Sequence, residues 1–315
     1  MKNFALTGVA GYIAPRHLKA IAETGNRLVA AVDPHDSVGI LDQHFPQTAF
    51  FTEFERFDRH LEKLRRGPES ERVDYVTICS PNHLHDAHIR LALRVGADAI
   101  CEKPLVMNPW NLDVLAELER EYDCCSVHTI LQLRVHPALL ALREKLQGSD
   151  KRHAVRLSYV TSRGQWYRYS WKGNADKSGG VATNIGIHFF DLLIWLFGGV
   201  EESEVHVLEA ERAGGFLELQ RADVQWFLSI DGNDLPASVK GQQPTYRSIT
   251  VDGEEVEFSG GFRDLHTVVY EQTLDGQGFG IEDARPSIEL VHAIRTAKVE
   301  TAPTLPHPFL GFEVA

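Results

Sequence analysis

The chain has 315 residues, 43% of them hydrophobic and 24% charged, and at roughly 100–200 residues per domain this predicts two globular domains and excludes a disordered chain. Lysine and arginine total 32 against 44 aspartates and glutamates, so the net charge of −12 argues against a nucleic-acid partner, whose phosphates would be repelled. The longest apolar run, residues 185–197, falls short of the roughly 18–20 residues of a membrane span and is interrupted by His188 and Asp191.

The first half of the chain alternates short apolar runs with segments of helical periodicity. Strands are predicted at 4–7, 28–32, 73–79, 97–101 and 126–133, and helices at 14–24, 53–65, 85–94 and 109–121. Strands that alternate with helices indicate βαβ units, so we expect an α/β Rossmann domain with a parallel sheet over residues 1–148.

The second half has a different rhythm, with several β-like runs separated by turn signals. Strands are predicted at 154–162, 203–209, 215–220, 222–230, 246–251 and 254–258, and helices at 184–197 and 281–298. This pattern favours an α+β domain over residues 149–315, with an open, mainly antiparallel sheet covered on one face by helices. The last predicted helix is one that could pack back on the first domain.

Four cysteines lie in the first half of the chain, and none forms a C-x-x-C pair: Cys79, Cys101, Cys124 and Cys125. No signal peptide fits the amino terminus, so they indicate reduced thiols in a cytoplasmic protein. His83, His85 and His88 lie close together in sequence, but no H-E-x-x-H motif accompanies them. A metal hydrolase is therefore disfavoured and no metal site is predicted.

A glycine turn follows the first predicted strand and opens the first helix, where a dinucleotide-binding fingerprint belongs. Gly8, Gly11, Tyr12 and Ile13 are the candidate cofactor-binding residues, although two residues rather than one separate the first two glycines. Asp33 ends the second strand, where a carboxylate can accept hydrogen bonds from the adenosine ribose. It would repel a 2′-phosphate, so NAD is favoured over NADP. The alternatives are a plain strand–turn–helix and a turn-initiating Asp-Pro.

Polar residues follow two later strands at the edge where open α/β sheets bind ligands. Ser80, Asn82 and His85 follow one strand, and Lys103 precedes Pro104 after the next. Because the residue before a proline is pushed towards an extended conformation, Lys103 could point into a cleft. The alternative for Lys103 is a surface lysine in a turn.

A polar stripe is predicted on an otherwise apolar helix that follows Gly179-Gly180. Helical spacing from Asn184 places Asn184, His188 and Asp191 on one face. Polar groups surrounded by bulky apolar residues need partners or a ligand. A lone histidine in such a place is more often a satisfied core residue, but three polar residues together favour a site.

These motifs, taken in order along nearly the whole chain, resemble the glucose–fructose oxidoreductase/inositol dehydrogenase (Gfo/Idh/MocA) family. The resemblance implies an NAD-binding Rossmann domain, a carboxy-terminal α/β domain and frequent homo-oligomers, dimers or tetramers. It implies that Glu102 touches the nicotinamide ribose, that Gln132 and Arg134 line the cleft near the nicotinamide, and that Lys103 and His188 flank the reacting carbinol.

Residues 161–180 form a segment that is locally basic and aromatic. Four cations stand against Asp176 alone, a local charge of +3: Arg163, Arg168, Lys172 and Lys177. Cations suit phosphate and carboxylate oxygens, and aromatic faces suit a base or a sugar ring. We therefore predict substrate binding by Arg163, Tyr167, Lys172 and Asn184, together with Lys103 and His188, and a cofactor contact by Trp166. The alternative is a solvated loop with packed aromatics.

Within the family, this segment is similar to dehydrogenases of a UDP-linked N-acetylated uronic acid. That resemblance implies oxidation of the sugar C3 hydroxyl to a 3-keto sugar, for diacetamido-uronic acid sugars of bacterial surface polysaccharide such as lipopolysaccharide O-antigen. Some such enzymes reoxidise bound NADH with 2-oxoglutarate. A related dehydrogenase of a free sugar or inositol, and a non-catalytic NAD-linked sugar sensor, remain as alternatives.

The predicted mechanism uses a histidine whose ordinary pKa, about 6.5, lies near neutral pH. His188 accepts the hydroxyl proton, Asp191 orients its ring, and Lys103 donates a hydrogen bond to the same oxygen. The roles of Lys103 and His188 could be exchanged.

Overall fold

Residues 1–148, 151–258 and 264–311 are described by the computed structural model. They fall into two units, Met1–Val135 with Gly261–Arg285, and His136–Gly260 with Pro286–Ala315. The predicted division at residue 148 adjoins residues 149–150, which lie outside the described part, and it differs from these units in two places. Of the described residues, 136–148 group with the second unit, and 264–285 return to the first.

The bounds of the elements follow in chain order. The first stretch contains β1 (Asn3–Thr7), α1 (Ala14–Glu23), β2 (Arg27–Val32), α2 (Ile40–His44), β3 (Ala49–Phe51), α3 (Phe54–Arg66), β4 (Tyr75–Ile78), α4 (His85–Arg94), β5 (Asp98–Cys101), α5 (Pro109–Tyr122) and β6 (Val127–Thr129). The second contains α6 (Pro137–Gln147), β7 (His153–Thr161), α7 (Gln165–Tyr169), α8 (Ala175–Ser178), α9 (Ile187–Phe197), β8 (Val200–Leu208), β9 (Arg212–Leu219), β10 (Ala222–Ser229), β11 (Thr245–Val251) and β12 (Glu254–Glu255). The last contains α10 (Leu265–Leu274) and α11 (Ile281–Thr296).

The sheet of the first unit has the order β3-β2-β1-β4-β5-β6, and every pair is parallel. This is the strand order of the dinucleotide-binding fold. The central strands are buried on both faces, as the apolar run of β1 requires, and Phe4 stacks between Tyr75 and Tyr270. The order reverses between β1 and β4, so ligands are expected beside the carboxyl ends of these two strands.

Helix α10 completes the first unit although it lies more than 250 residues along the chain from β1. Its buried residues include Leu265, His266 and Tyr270, and it packs against α1. This helix was not predicted. Residues 281–298 were the element expected to be able to return to the first domain, whereas α10 and only the start of α11 belong to the first unit.

The parallel sheet agrees with the sequence prediction apart from short elements. Residues 126–133 were predicted as one strand, but β6 ends at Thr129 and a 3₁₀ turn occupies Gln132–Val135. The apolar run continues past the strand because Ile130 and Leu131 are both buried, and the Ile130 N–H still donates to Cys101 O of β5 at 3.0 Å. The elements α2, β3 and α6 were not predicted.

The sheet of the second unit has the order β12-β11-β7-β10-β9-β8. All pairs are antiparallel except β7 with β10, so the expectation of a mainly antiparallel sheet is confirmed. Helix α9 covers one face, and Phe190 packs edge-on against Trp226 with ring centroids 5.1 Å apart. A Cβ at Gly186 would lie 2.5 Å from Leu228 Cδ1, so glycine there allows a close approach to β10.

One helical stretch among the described residues, Ala175–Phe197, is long and apolar enough by composition to cross a membrane. Within its most apolar window, 72% of the residues are buried inside the protein. This burial is typical of the core helix of a folded domain, and such helices also meet the criterion of length and apolar composition.

Candidate active site

The glycine turn brings the ends of β1 and β4 together at the reversal point of the sheet. Gly8 has a positive φ of 81°, and a Cβ there would lie 2.6 Å from Cys79 O. Its N–H donates to Val32 O at 2.8 Å. Only glycine combines this conformation with so close an approach, so the turn is built for a tight passage from strand to helix.

The amino terminus of α1 offers its N–H groups without competition from a side-chain cap. Ile13 is the N-cap residue and supplies no side-chain hydrogen bond, and the first turn contains no acidic residue. Tyr12, beside it, is 85% exposed. A helix start of this kind, following a glycine turn, suits the pyrophosphate of a dinucleotide.

Asp33 lies at the end of β2 and is only 6% exposed. Its Oδ2 accepts a hydrogen bond from the Ala10 N–H at 3.0 Å, and its Oδ1 accepts one from the His35 N–H at 2.9 Å. The carboxylate thus connects the glycine turn to the end of the next strand. Each oxygen can accept a further hydrogen bond, as a ribose diol requires.

We predict that Asp33→Asn raises the KM for NAD about 10–100-fold, because hydrogen bonds to a charged acceptor are lost. The variant should also discriminate less against NADP, since the repelling charge is gone. Steady-state kinetics with both cofactors measure this. Asp36→Asn, the same change at an exposed position three residues away, is the control and should behave as the unmodified protein. An unchanged NAD/NADP ratio in Asp33→Asn would contradict the assignment.

His85 connects the turns that follow β4 and β5. Its ring is buried between two carbonyls, with Nδ1 2.7 Å from Pro104 O and Nε2 2.8 Å from Ser80 O. A ring N–H donates to one or the other, and burial lowers the pKa of His85. Asn82, at the start of the same turn, is also buried. These contacts fix the turns that follow β4 and β5, and cofactor binding by His85 stays a prediction.

The neighbouring histidines do not converge on a common point. His88 Nδ1 lies 2.9 Å from Ser80 Oγ and 3.1 Å from Thr7 Oγ1, its ring stacks on Phe54, and burial lowers its pKa to about 3. His83 is exposed. Among the described residues, the trio with donor atoms close enough for one ion is a different one: His17, Glu102 and His266.

Glu102 is the centre of a buried hydrogen-bond network in the first unit. Its Oε1 accepts from His17 Nε2 at 2.9 Å and from His266 Nε2 at 3.0 Å, and its Oε2 accepts from the Lys103 backbone N–H at 3.2 Å. His17 Nδ1 lies 2.8 Å from the Tyr270 hydroxyl. The resemblance implied a role for Glu102, but its two histidine partners were not predicted, because the pairs are 85 and 164 residues apart.

The two imidazoles decide the charge state of Glu102. Burial raises the pKa of the carboxyl group, but the two hydrogen bonds from the imidazoles outweigh it and hold this pKa well below its usual range. Burial also lowers the pKa of His17. The site therefore contains an ionised carboxylate whose Oε1 is occupied by two donors.

Lys103 follows Glu102 at the carboxyl end of β5, and its peptide bond to Pro104 is cis. The lysine is half-buried. It belongs to the first unit, whereas His188, its predicted partner, belongs to the second.

Gln132 and Arg134 differ in what surrounds them. Gln132 Oε1 is buried and accepts no hydrogen bond from any described residue, so an amide acceptor is available for a ligand. Arg134 was carried over from the resemblance together with Gln132. It binds Asp283, with Nη1 3.0 Å from Oδ1 and Nη2 2.9 Å from the backbone oxygen of Asp283. The glycine turn, the uncapped helix, Asp33 and Gln132 together fit NAD.

The polar stripe of the second unit lies on an irregular helix. Ala182–Gly186 forms a π-helical turn, and α9 begins only at Ile187. The prediction of one regular helix from Asn184 was therefore wrong in geometry, because Asn184 lies in the wider turn. His188 is half-buried, Asp191 is 2% exposed, and Asn184 Nδ2 donates to the Tyr167 hydroxyl at 2.7 Å. Turns of this type are frequent at functional sites.

A cluster of cations and aromatic rings lies in the same unit. Lys172 Nζ is 5.1 Å from the Trp166 ring, Arg163 Cζ is 6.0 Å from the Tyr167 ring, and the two rings are 5.9 Å apart. Burial, and then Arg163, lower the pKa of Lys172, so the two cations act on one another. We call these four residues the cation–aromatic cluster.

The other cations of the basic segment are used differently. Arg168 binds Glu211 with two hydrogen bonds, Nε at 2.5 Å and Nη2 at 3.0 Å, so its charge is answered within the protein. Lys177 is exposed on α8. The local charge of +3 counted from the sequence therefore overstates what this segment offers to a ligand.

Comparison with known proteins places the chain in a family. Residues 2–129 match the NAD-binding Rossmann fold of the Gfo/Idh/MocA oxidoreductase family, and residues 153–301 match its carboxy-terminal α/β domain. The chain spans between 36% and 69% of the length of seven curated relatives that it matches. One, the D-glucoside 3-dehydrogenase of Escherichia coli, is 25% identical over 45% of this chain and 40% of that protein.

Solved structures match over the whole chain. The WlbA (WbpB) dehydrogenase of Thermus thermophilus is 54% identical over 98% of this chain and 100% of its own, with a TM-score of 0.94. It was solved with NAD and α-ketoglutarate, and with NAD and UDP-GlcNAcA. The WlbA dehydrogenase of Bordetella pertussis has a TM-score of 0.75 at 20% identity, over 93% of this chain and 94% of its own, and shows the shared fold alone. The chain thus belongs to the Gfo/Idh/MocA family of oxidoreductases, with an NAD-binding Rossmann domain and a carboxy-terminal α/β domain.

Proposed function

We propose that this chain catalyses the NAD-dependent oxidation of the C3 hydroxyl of UDP-N-acetylglucosaminuronic acid (UDP-GlcNAcA) to the 3-keto sugar. The observation that carries the proposal is the full-length similarity, at 54% identity, to a dehydrogenase solved with NAD and UDP-GlcNAcA. The cation–aromatic cluster supports it, because this substrate carries a diphosphate, a carboxylate and rings.

The residues of the chain would share the chemistry as follows. His188 accepts the C3 hydroxyl proton at a ring nitrogen, and Asp191 orients that ring. Lys103 donates a hydrogen bond to the same oxygen and stabilises its developing negative charge. Bound NAD would supply the acceptor for the hydride that leaves C3. The glycine turn, Asp33 and Gln132 hold the cofactor, while Arg163, Tyr167, Lys172 and Asn184 hold the substrate.

Further parts of the proposal follow from the same similarity. The reduced cofactor is reoxidised by α-ketoglutarate (2-oxoglutarate), which was bound with NAD in the similar structure. The product enters the synthesis of diacetamido-uronic acid sugars for bacterial surface polysaccharide, in the cytoplasm. The protein works as a homo-oligomer, a dimer or a tetramer, and size-exclusion chromatography with light scattering measures that state.

The experiment mixes purified protein, NAD and UDP-GlcNAcA, with and without α-ketoglutarate, and follows NADH absorbance and sugar products by mass spectrometry. A product two mass units lighter than the substrate, with NADH or with reduced α-ketoglutarate, is expected. Keto sugar formed only with α-ketoglutarate means that the cofactor is recycled in place. NAD binding without reduction of either kind overturns the proposal and directs the search to free sugars, inositol or a sensor role.

A further inference from the structure

The buried network around Glu102 does more than fill the interior of the first unit. Five polar groups from four elements form one chain of hydrogen bonds: His266 on α10, Glu102 after β5, His17 on α1, Tyr270 on α10 and Thr77 on β4. Each has an exposed fraction of 6% or less. Burying such a network costs free energy unless every polar group has a hydrogen-bond partner, so the arrangement indicates which atoms carry the hydrogens.

The hydrogen positions follow from the partners. An ionised carboxylate only accepts, so both imidazoles carry a hydrogen on Nε2 and donate it to Glu102 Oε1. Neutral His17 then has a bare Nδ1, which accepts from the Tyr270 hydroxyl, and that oxygen accepts from Thr77 Oγ1. Every donor in this half of the network has an acceptor, and no metal ion is needed to satisfy it.

The two carboxylate oxygens of Glu102 therefore have different hydrogen-bonding roles. Oε1 is filled by two imidazole donors, whereas Oε2 accepts one bond, from the Lys103 N–H at 3.2 Å. A carboxylate oxygen accommodates two such bonds, so Oε2 retains capacity for one more donor. Because Glu102 lies at the carboxyl end of β5, that capacity lies at the edge where this fold binds its cofactor.

We propose that His17 and His266 are positioning residues that fix Glu102 as an ionised acceptor, with Oε2 turned to a hydroxyl donor of the bound dinucleotide and to the Lys103 backbone. This rests on the proposed function only in taking NAD as the ligand. Neither histidine touches the cofactor; they act through Glu102. The network thereby couples α1, which follows the glycine turn, to the end of β5.

The proposal predicts a pH dependence of NAD binding. The groups that face Glu102 or interact with its charge come from every element around it: His17, His266, Tyr270, His85, Cys79 and Cys101. Of these, only the two imidazoles donate hydrogen bonds to the carboxylate. Removing one donor raises the pKa of Glu102, so protonation of the carboxylate, and the loss of NAD affinity with it, begins at a higher pH.

The test is direct titration of NAD into the whole protein by intrinsic fluorescence between pH 5 and pH 8, without any sugar. We expect His266→Leu to weaken NAD binding about tenfold near pH 6 and to shift the acid limb of the binding profile to higher pH. His266→Gln places an amide N–H near the position of Nε2 and should restore both. Tyr270→Phe, which removes the donor to His17 Nδ1, should give a smaller shift in the same direction.

His128→Leu is the matched control, since it removes a partly buried imidazole on β6 that makes no contact with Glu102 in the described structure. It should lower the melting temperature without moving the acid limb. A leucine variant that only lowers the melting temperature, or a glutamine variant equal to leucine, would overturn the proposal. Tightly bound zinc in the purified protein, lost in both His266 variants, would overturn it as well. NAD titration needs no turnover, so failure of the proposed sugar reaction would be seen separately.

Discussion

Lys103→Ala is expected to lower kcat about 10²–10⁴-fold while the protein still binds NAD, because one acid–base or charge-stabilising group contributes that much to a proton-coupled step. The loss should fall on kcat rather than on the KM for NAD, since the lysine is proposed to act on the oxygen that becomes a carbonyl. Stopped assays with product quantified by mass spectrometry measure rates this low. Lys63→Ala, at an exposed position on α3, is the control and should retain full activity.

His188→Asn should cause a loss of the same order, and its pH profile decides which residue is the base. If His188 accepts the proton, the unmodified protein has an acid limb in kcat/KM that reports the protonation of this base, and the variant loses it. If Lys103 is the base, the limb survives in His188→Asn and disappears in Lys103→Ala. His44→Asn, an exposed histidine on α2, controls for the substitution itself. Near-normal turnover in either variant would refute the assignment.

Most strands of the first unit could be predicted because a local sequence pattern marks them. Strands β1, β2, β4 and β5 are short apolar runs, each followed within three residues by glycine or proline: Gly8, Pro34, Pro81 and Pro104. Strand β3 could not be found this way, since three residues, Ala49–Phe51, carry no periodicity. Helix α10 was missed because its buried face includes the polar groups of His266 and Tyr270, whose partners lie far away in sequence.

The chemistry of the site was predictable by residue type but not by pairing. Glu102 and Lys103 stand out in the sequence because a polar pair follows an apolar strand. That His17 and His266 occupy one oxygen of Glu102 depends on three elements meeting in space, which no local pattern encodes. Arg168 shows the same limit. It was counted as a cation of the basic segment, but its ion-pair partner Glu211 lies 43 residues away and could not be inferred from a local pattern.

The cation–aromatic cluster is expected to act on substrate binding rather than on the chemical step. Replacing Arg163 or Lys172 with methionine should raise the KM for UDP-GlcNAcA about 10–100-fold each, because hydrogen bonds to charged oxygens are worth ~1.5–3 kcal/mol. The double variant should be weaker than either, while kcat at saturation changes little. Arg168→Met is the matched control, since Glu211 already binds its guanidinium. Equal losses in Arg168→Met would mean that the segment acts only as a scaffold.

The two substrate anions can be separated with UDP-N-acetylglucosamine, which has the diphosphate but no carboxylate, as a competitive inhibitor. If a variant weakens inhibition by this compound as much as it raises the KM for UDP-GlcNAcA, its lost cation binds the diphosphate. If inhibition is unchanged, the lost cation binds the carboxylate. A variant that alters neither constant would remove that residue from the substrate site.

The pH dependence of substrate binding tests Lys172 further. Burial and Arg163 lower its pKa from an ordinary value of 10.5, so the ammonium loses its proton at a lower pH than a free lysine would. The KM for UDP-GlcNAcA should therefore rise at alkaline pH before ordinary lysines titrate. Arginine stays charged throughout this range, so Lys172→Arg should abolish the alkaline rise even if the altered geometry raises the KM at neutral pH. An alkaline rise that persists in Lys172→Arg would assign it to another group.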